Sequence, residues 1–165
     1  SDVYKRQAYN VFVWSPNSVS MPGTEANAMK NYYPGDMYVD WLGVSCYPPS
    51  LSATYPEERR YPLTLMQGIK QVSADKPIMI SEGGYSSTCD HQRWVREWFK
   101  LKDEEPRVKA VVWENHENAE NGDRRLQSDP LALELYKELV QDPYWLDLIP
   151  DAVYSEIETR KNNSK

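Results

Sequence analysis

The segment Lys76-Pro77-Ile78-Met79-Ile80-Ser81-Glu82-Gly83-Gly84-Tyr85 constrains the fold more than any other part of the chain. Residues 78–80 are apolar without interruption, the pattern of a short strand covered on both faces. Pro77 stands at the first strand position, where a missing N–H costs no ladder bond. Gly83-Gly84 is read as the turn that follows, leaving Glu82 at the strand's carboxyl end. That is the end at which parallel α/β folds bind ligands. A carboxylate there is expected to be paired, protonated or functional, because an isolated buried charge is too costly. A salt-bridged structural glutamate and a site glutamate are both compatible with this segment taken alone.

The rest of the chain alternates strands with helices. Residues 10–14 read as a strand closed by Ser15-Pro16-Asn17. A polar stretch follows to about residue 31, with at most a weak helical turn over 25–29. Tyr33-Pro34-Gly35-Asp36 is a turn signal. Residues 38–47 are strand-like and stop at Pro48-Pro49, and 50–61 read as a surface loop. Leu63, Leu65, Met66, Ile69 and Val72 then fall at helical spacing, with Pro62 in the first turn. Ser87 and Asp90 suit a capping box before a helix whose apolar stripe is Trp94, Val95, Trp98, Phe99 and Leu101. Residues 107–113 are a β-branched strand. Asp129-Pro130 supplies the N-cap and first position of a last helix carrying Leu131, Leu133, Leu135, Tyr136, Leu139 and Val140.

This order predicts an α/β fold with a parallel sheet and right-handed crossovers. Each strand ends in a polar or aromatic cluster: Trp14-Ser15-Pro16-Asn17, Ser45-Cys46-Tyr47, Glu82, and Trp113-Glu114-Asn115-His116. Such ends meeting on one rim describe a site. About four β/α units make half of a (β/α)8 TIM barrel, which in full needs ~250 residues. A flavodoxin-like open sheet is the alternative architecture, although no Gly-rich phosphate loop follows any strand. Counting back by alternation, a Glu82 that faces the barrel axis takes Ile80 and Ile78 with it. Tyr47 likewise takes Ser45 and Gly43, turning Cys46 to the helices, and Trp113 takes Val111. A carboxylate beside a tyrosine hydroxyl and a tryptophan face would make a sugar subsite. Tyr47 and Trp113 also read as plain core aromatics.

At 165 residues the chain is long enough for one domain with its own core. Six Trp and twelve Tyr are an aromatic excess of the kind found in sugar-binding clefts. A net charge of −6 gives no support to nucleic acid or an anionic membrane as partner. No apolar run approaches the ~18 residues of a membrane-spanning helix. Cys46, Cys89, His91 and His116 have no metal-ligand spacing, so neither a metal nor another cofactor is indicated. Two free thiols are expected in preference to a Cys46–Cys89 disulfide. Residues 1–7 read as a non-native or disordered leader, 8–150 as the domain, and 151–165 as a polar tail.

Four stretches carry a resemblance: Val13-Trp14-Ser15-Pro16-Asn17; Tyr33-Pro34-Gly35-Asp36-Met37-Tyr38-Val39-Asp40-Trp41-Leu42-Gly43; Lys76-Pro77-Ile78-Met79-Ile80-Ser81-Glu82; and residues 108–113. In order and spacing they resemble the fifth to eighth strands of glycoside hydrolase family 26, largely β-mannanases on a (β/α)8 barrel. The resemblance implies that Glu82 is the catalytic nucleophile, that Tyr47 orients it by a hydrogen bond, and that Trp113 lines the sugar subsite. Trp14, Ser45, Tyr85, Glu114 and His116 are expected to contact substrate. Gly83-Gly84 stands where many members have Phe-Gly. The family's acid/base glutamate ends the fourth strand, ahead of the matching segments, and Glu114 and Glu117 read as solvated or substrate-contacting loop residues rather than substitutes. The resemblance further implies a polysaccharide substrate, a secreted or periplasmic protein, and an amino-terminal half barrel as the missing partner. A β-glucanase or xylanase of the same clan, and a non-catalytic glycan-binding domain, are the alternatives. A half barrel would also leave strand edges open and Ile78, Ile80 and Val111 wet, favouring self-association.

Overall fold

A computed structural model describes residues 10–48, 61–87, 89–118 and 122–146. The expected leader, the body of the 50–61 loop and the polar tail lie outside these residues. Four strands, β1 (Val13–Trp14), β2 (Trp41–Cys46), β3 (Ile78–Gly83) and β4 (Val108–Trp113), form one parallel sheet in the order β1-β2-β3-β4. The order follows the chain without reversal. Right-handed crossovers that always step in one direction lay their connections on one face of a sheet.

That face is the core. Leu42, Val44, Cys46, Ile78, Ile80 and Val108 have no exposed surface and belong to the same cluster as Trp94, Val95, Trp98 and Leu101 of α3 (His91–Glu104). Asp90 is the N-cap of α3, accepting from the Arg93 N–H at 2.9 Å, so the expected capping box is corrected: Asp90 stands at the cap itself and not three residues inside a helix begun at Ser87. α4 (Pro130–Leu139) begins as the Asp129-Pro130 pair predicts, with Asp129 accepting from the Leu131 and Ala132 N–H groups. Phe99 of α3 and Tyr136 of α4 meet edge-to-face at 5.1 Å. The helix expected over 62–72 is two single turns, α1 (Pro62–Leu65) and α2 (Gln67–Lys70), hinged at Met66. Met66 and Ile69 are both fully buried, so anchoring both turns to the sheet prevails over one continuous axis. The β1–β2 connection contains only 3₁₀ turns, Glu25–Asn27 and Met29–Tyr32.

Two expectations about β3 are corrected. Val44 pairs with Ile80, but Ser45 pairs with Glu82, so β3 carries one extra residue as a bulge. A bulge breaks the two-residue alternation. Ile78 and Ile80 therefore face the helices, fully buried, while Glu82 is exposed on the opposite face. Nor is Val111 wet: it packs against the core, and Val112 is the residue 43% exposed. The second correction concerns Gly83. It belongs to the strand and its φ is not positive. Glycine is required there by close packing: a Cβ would fall 2.5 Å from the Cys46 carbonyl oxygen and 2.6 Å from the Trp98 ring.

The second face of the sheet carries Val13, Ser15, Gly43, Ser45, Ser81, Glu82 and Val112. A Cβ on Gly43 would lie 2.7 Å from Ser15 Cβ and 2.9 Å from Val13 Cγ1, and the Ser15 and Ser81 hydroxyls are 2.5 Å apart. At the amino ends of the strands, Arg107 ties the sheet together. Its guanidinium donates to the carbonyls of Lys70, Ser73 and Ala74 and to the Glu105 carboxylate. Cys46 and Cys89 are free thiols; burial pushes Cys46 up to about 12 and Cys89 up to about 11.

Candidate active site

The carboxyl ends of β2, β3 and β4 bring Tyr47, Glu82 and Glu114 together. Each follows from its strand. Tyr47 comes directly after the last residue of β2, half-buried above the sheet rim. Glu82 is lifted to the open face by the β3 bulge. Glu114 follows Trp113, and its N–H donates to the Gly83 carbonyl at 2.7 Å, which holds the ends of β3 and β4 level. Tyr47 Oη donates to Glu82 Oε1 at 2.5 Å. Burial first, and then the Glu114 and Glu82 carboxylates against its hydroxyl, push the Tyr47 phenol far above its ordinary value. Tyr47 is thus a neutral donor at any working pH.

A fourth member, Arg124, was not anticipated from the sequence. Its guanidinium carbon lies 4.0 Å from the centroid of the Tyr47 ring, and Nη1 donates to Glu114 Oε2 at 2.6 Å. The hairpin of β5 (Glu117–Asn118) and β6 (Gly122–Asp123) returns it to the rim. Gly122, at φ +88°, provides the left-handed backbone this reversal needs. Nothing in Gly122-Asp123-Arg124-Arg125 distinguishes Arg124 from a solvated loop arginine, so no local signal identified it. A tertiary contact, between residues far apart in the chain, brings it to Tyr47.

The remaining candidates are distributed as follows. Ser45 is the cross-strand partner of Glu82 and shares its face. His116 Nδ1 lies 3.1 Å from Glu114 Oε1, and its side chain is 54% exposed. Both oxygens of Glu114 are therefore engaged, one by Arg124 and one by His116. Glu117 is solvated and paired with Arg125. Trp113 is half-buried: its Nε1–H donates to the Arg124 carbonyl at 3.1 Å, and its ring meets Tyr85, Trp98 and Tyr136 edge-to-face. Trp14 lies on the helix side of β1, edge-to-face with Tyr33 at 5.1 Å. Tyr85 has no exposed surface, stacks on His91 at 4.0 Å and donates to the Arg125 carbonyl, so it packs in the core rather than on the rim. The turn after β3 folds inward over α3, and that carries Tyr85 away from the rim.

Among the described residues no three His, Cys, Asp or Glu side chains form a metal-binding group. No described helix is long and apolar enough to cross a membrane. A carboxylate held by a neutral phenol stands beside a second carboxylate paired with an arginine, and its second oxygen has no partner among the described residues. Such a group can attack an electrophilic carbon or stabilise a developing cation.

No protein-family model matches the chain. It is similar to Endoglucanase H of Acetivibrio thermocellus, 29% identical over 113 residues. That match takes in 66% of this chain and spans only 12% of the length of Endoglucanase H. The likeness is to part of a glycoside hydrolase.

Proposed function

We propose that the chain is the carboxyl-terminal part of a retaining glycoside hydrolase acting on β-linked polysaccharide. In this reading β1 to β4 are the last four strands of a (β/α)8 barrel. Glu82 is the nucleophile that attacks the anomeric carbon, and Tyr47 holds it in line. The acid/base glutamate is supplied by the preceding strand of the full barrel. The observation that carries the proposal is the Tyr47–Glu82 hydrogen bond at the carboxyl ends of adjacent parallel strands. The unreversed strand order supports a barrel sector over a doubly wound sheet, in which the order reverses at a switch point. Glu114 has both oxygens engaged, by Arg124 and His116, which agrees with an acid/base from elsewhere. The likeness to an endoglucanase supports the reaction class.

The resemblance to glycoside hydrolase family 26 favours β-mannan as the polymer, and secretion with it. A β-glucan is the second reading, favoured by the name of the similar Endoglucanase H. Retention requires two carboxyl groups about 5–5.5 Å apart. The test restores the upstream sequence and assays the completed protein on mannan, β-glucan and xylan, following the product anomer. One polymer should be cut with retention, and Glu82→Ala should lower the rate by about 10³-fold or more. If nothing is cut, the glycan-binding alternative replaces this reading.

A further inference from the structure

Arg124 has no part in the reaction just described, yet its placement is costly. It is 7% exposed, and its Nε–H has no hydrogen-bond partner among the described residues. Desolvating a guanidinium must be offset by what it touches. The Arg124 backbone is tied down without this side chain, to the end of β4 and to the segment that follows it. Its N–H donates to the His116 carbonyl, and its carbonyl accepts from Trp113 Nε1. Among the described residues the guanidinium meets the Tyr47 ring at 4.0 Å and Glu114 Oε2 at 2.6 Å.

Those two groups bear on Glu82. A phenol has one proton to donate. The Tyr47 hydroxyl donates to Glu82, and Arg124, which lies on the Tyr47 ring, holds a second carboxylate, Glu114, in competition for the same proton. We propose that Arg124 decides this competition: by taking up Glu114 it leaves the Tyr47 proton to Glu82, and by lying on the ring it fixes where the hydroxyl stands. Arg124 is then a positioning residue, acting on Glu82 through Tyr47 and Glu114. Its fork and plane suit both tasks, and lysine would supply the charge without the geometry.

The test uses this chain labelled with ¹³C at tyrosine Cζ and glutamate Cδ, with Tyr47 and Glu82 assigned from Tyr47→Phe and Glu82→Gln. Arg124→Gln should shift both resonances. Adding Glu114→Gln should return both most of the way to their original positions, since the competing carboxylate is gone, and Arg124→Lys should fall between. A merely structural arginine gives Glu114→Gln no power to reverse the change. If both resonances stay in place in a folded Arg124→Gln chain, or if the second substitution reverses nothing, the proposal is overturned. Should Arg124→Gln not fold, Arg124→Lys with and without Glu114→Gln makes the same comparison. The consequence for catalysis rests on Glu82 as nucleophile, but the resonances do not. Responsive resonances in a protein that cuts no polymer would sink the glycosidase reading and uphold the positioning.

Discussion

The ring of Trp98 occupies the space into which any side chain on Gly83 would project. A Cβ on Gly83 would stand 2.6 Å from Trp98 Cη2 and 2.5 Å from the Cys46 carbonyl oxygen. This contact, between the residue after Glu82 and the middle of α3, seats the bulged end of β3 on the core.

Gly83→Ala is therefore expected to destabilise the chain by about 1–3 kcal/mol or more, as overpacking does. At Gly84 the nearest atom to a Cβ is the Glu114 carbonyl oxygen at 3.4 Å, with the next at 3.7 Å. Gly84→Ala should cost under about 1 kcal/mol. Urea denaturation of the two variants side by side checks the contrast. Equal costs would mean that Trp98 does not constrain Gly83.

Arg107→Ala is expected to cost about 2–3 kcal/mol, because the carbonyls of Lys70, Ser73 and Ala74 and the Glu105 carboxylate lose a shared donor. Glu105 is 7% exposed, and its hydrogen bond to Arg107 holds its carboxyl below the usual range. A depressed carboxyl contributes stability above its unfolded value and loses it as pH falls through the folded value. The acid limb of the stability curve should accordingly be shallower in Arg107→Ala than in the parent, measured by denaturation between pH 3 and 7.

Several phenols are raised above their ordinary value. Tyr33 is pushed up to about 12 by burial and by Asp36, and Tyr47 goes up by burial and by Glu114 and Glu82. Burial raises Tyr136 as well. A raised phenol contributes stability that is complete below its unfolded value and is lost as pH rises through the folded value. Unfolding should therefore set in as pH climbs past ~10. Absorbance at 295 nm should show these tyrosines ionising only with that transition, and Tyr47→Phe should lessen the alkaline loss. Independent ionisation of all tyrosines near pH 10 in the folded state would contradict this.

The sheet's β1 and β4 edges have no strand partner among the described residues, and its second face exposes Val13 at 40% and Val112 at 43%. Parallel sheets ordinarily have both faces covered. Concentration-dependent sedimentation is expected for this chain, weakened by Val13→Lys and Val112→Lys. A monomer at all concentrations, with a sharp concentration-independent unfolding transition, would count against an open sheet.

Much of this arrangement was legible along the chain. The strand-like stretches at 38–47, 78–80 and 107–113, the stripe from Trp94 to Leu101, and the cap residue Asp129 each announce their element through local chemistry. The parallel sheet follows from their alternation. Tyr47, Glu82 and Glu114 were placed at strand ends for the same reason. The face on which Glu82 stands was not legible, because a bulge is set by the register against β2 and leaves no mark on the periodicity of β3. The fate of Tyr85 was hidden too: an aromatic after a glycine pair reads alike whether it turns to the rim or into the core.

The sequence by itself determined which segments are strands and helices and which residues stand at the strand ends. Period, capping and turn chemistry act over a few neighbouring residues. Only the tertiary structure decided that Ile78 and Ile80 turn to the helices while Glu82 turns away, and that Arg124 lies on Tyr47. These depend on strand register and on contacts between residues far apart in the chain, where packing against Trp98 and desolvation of a guanidinium outweigh any local preference.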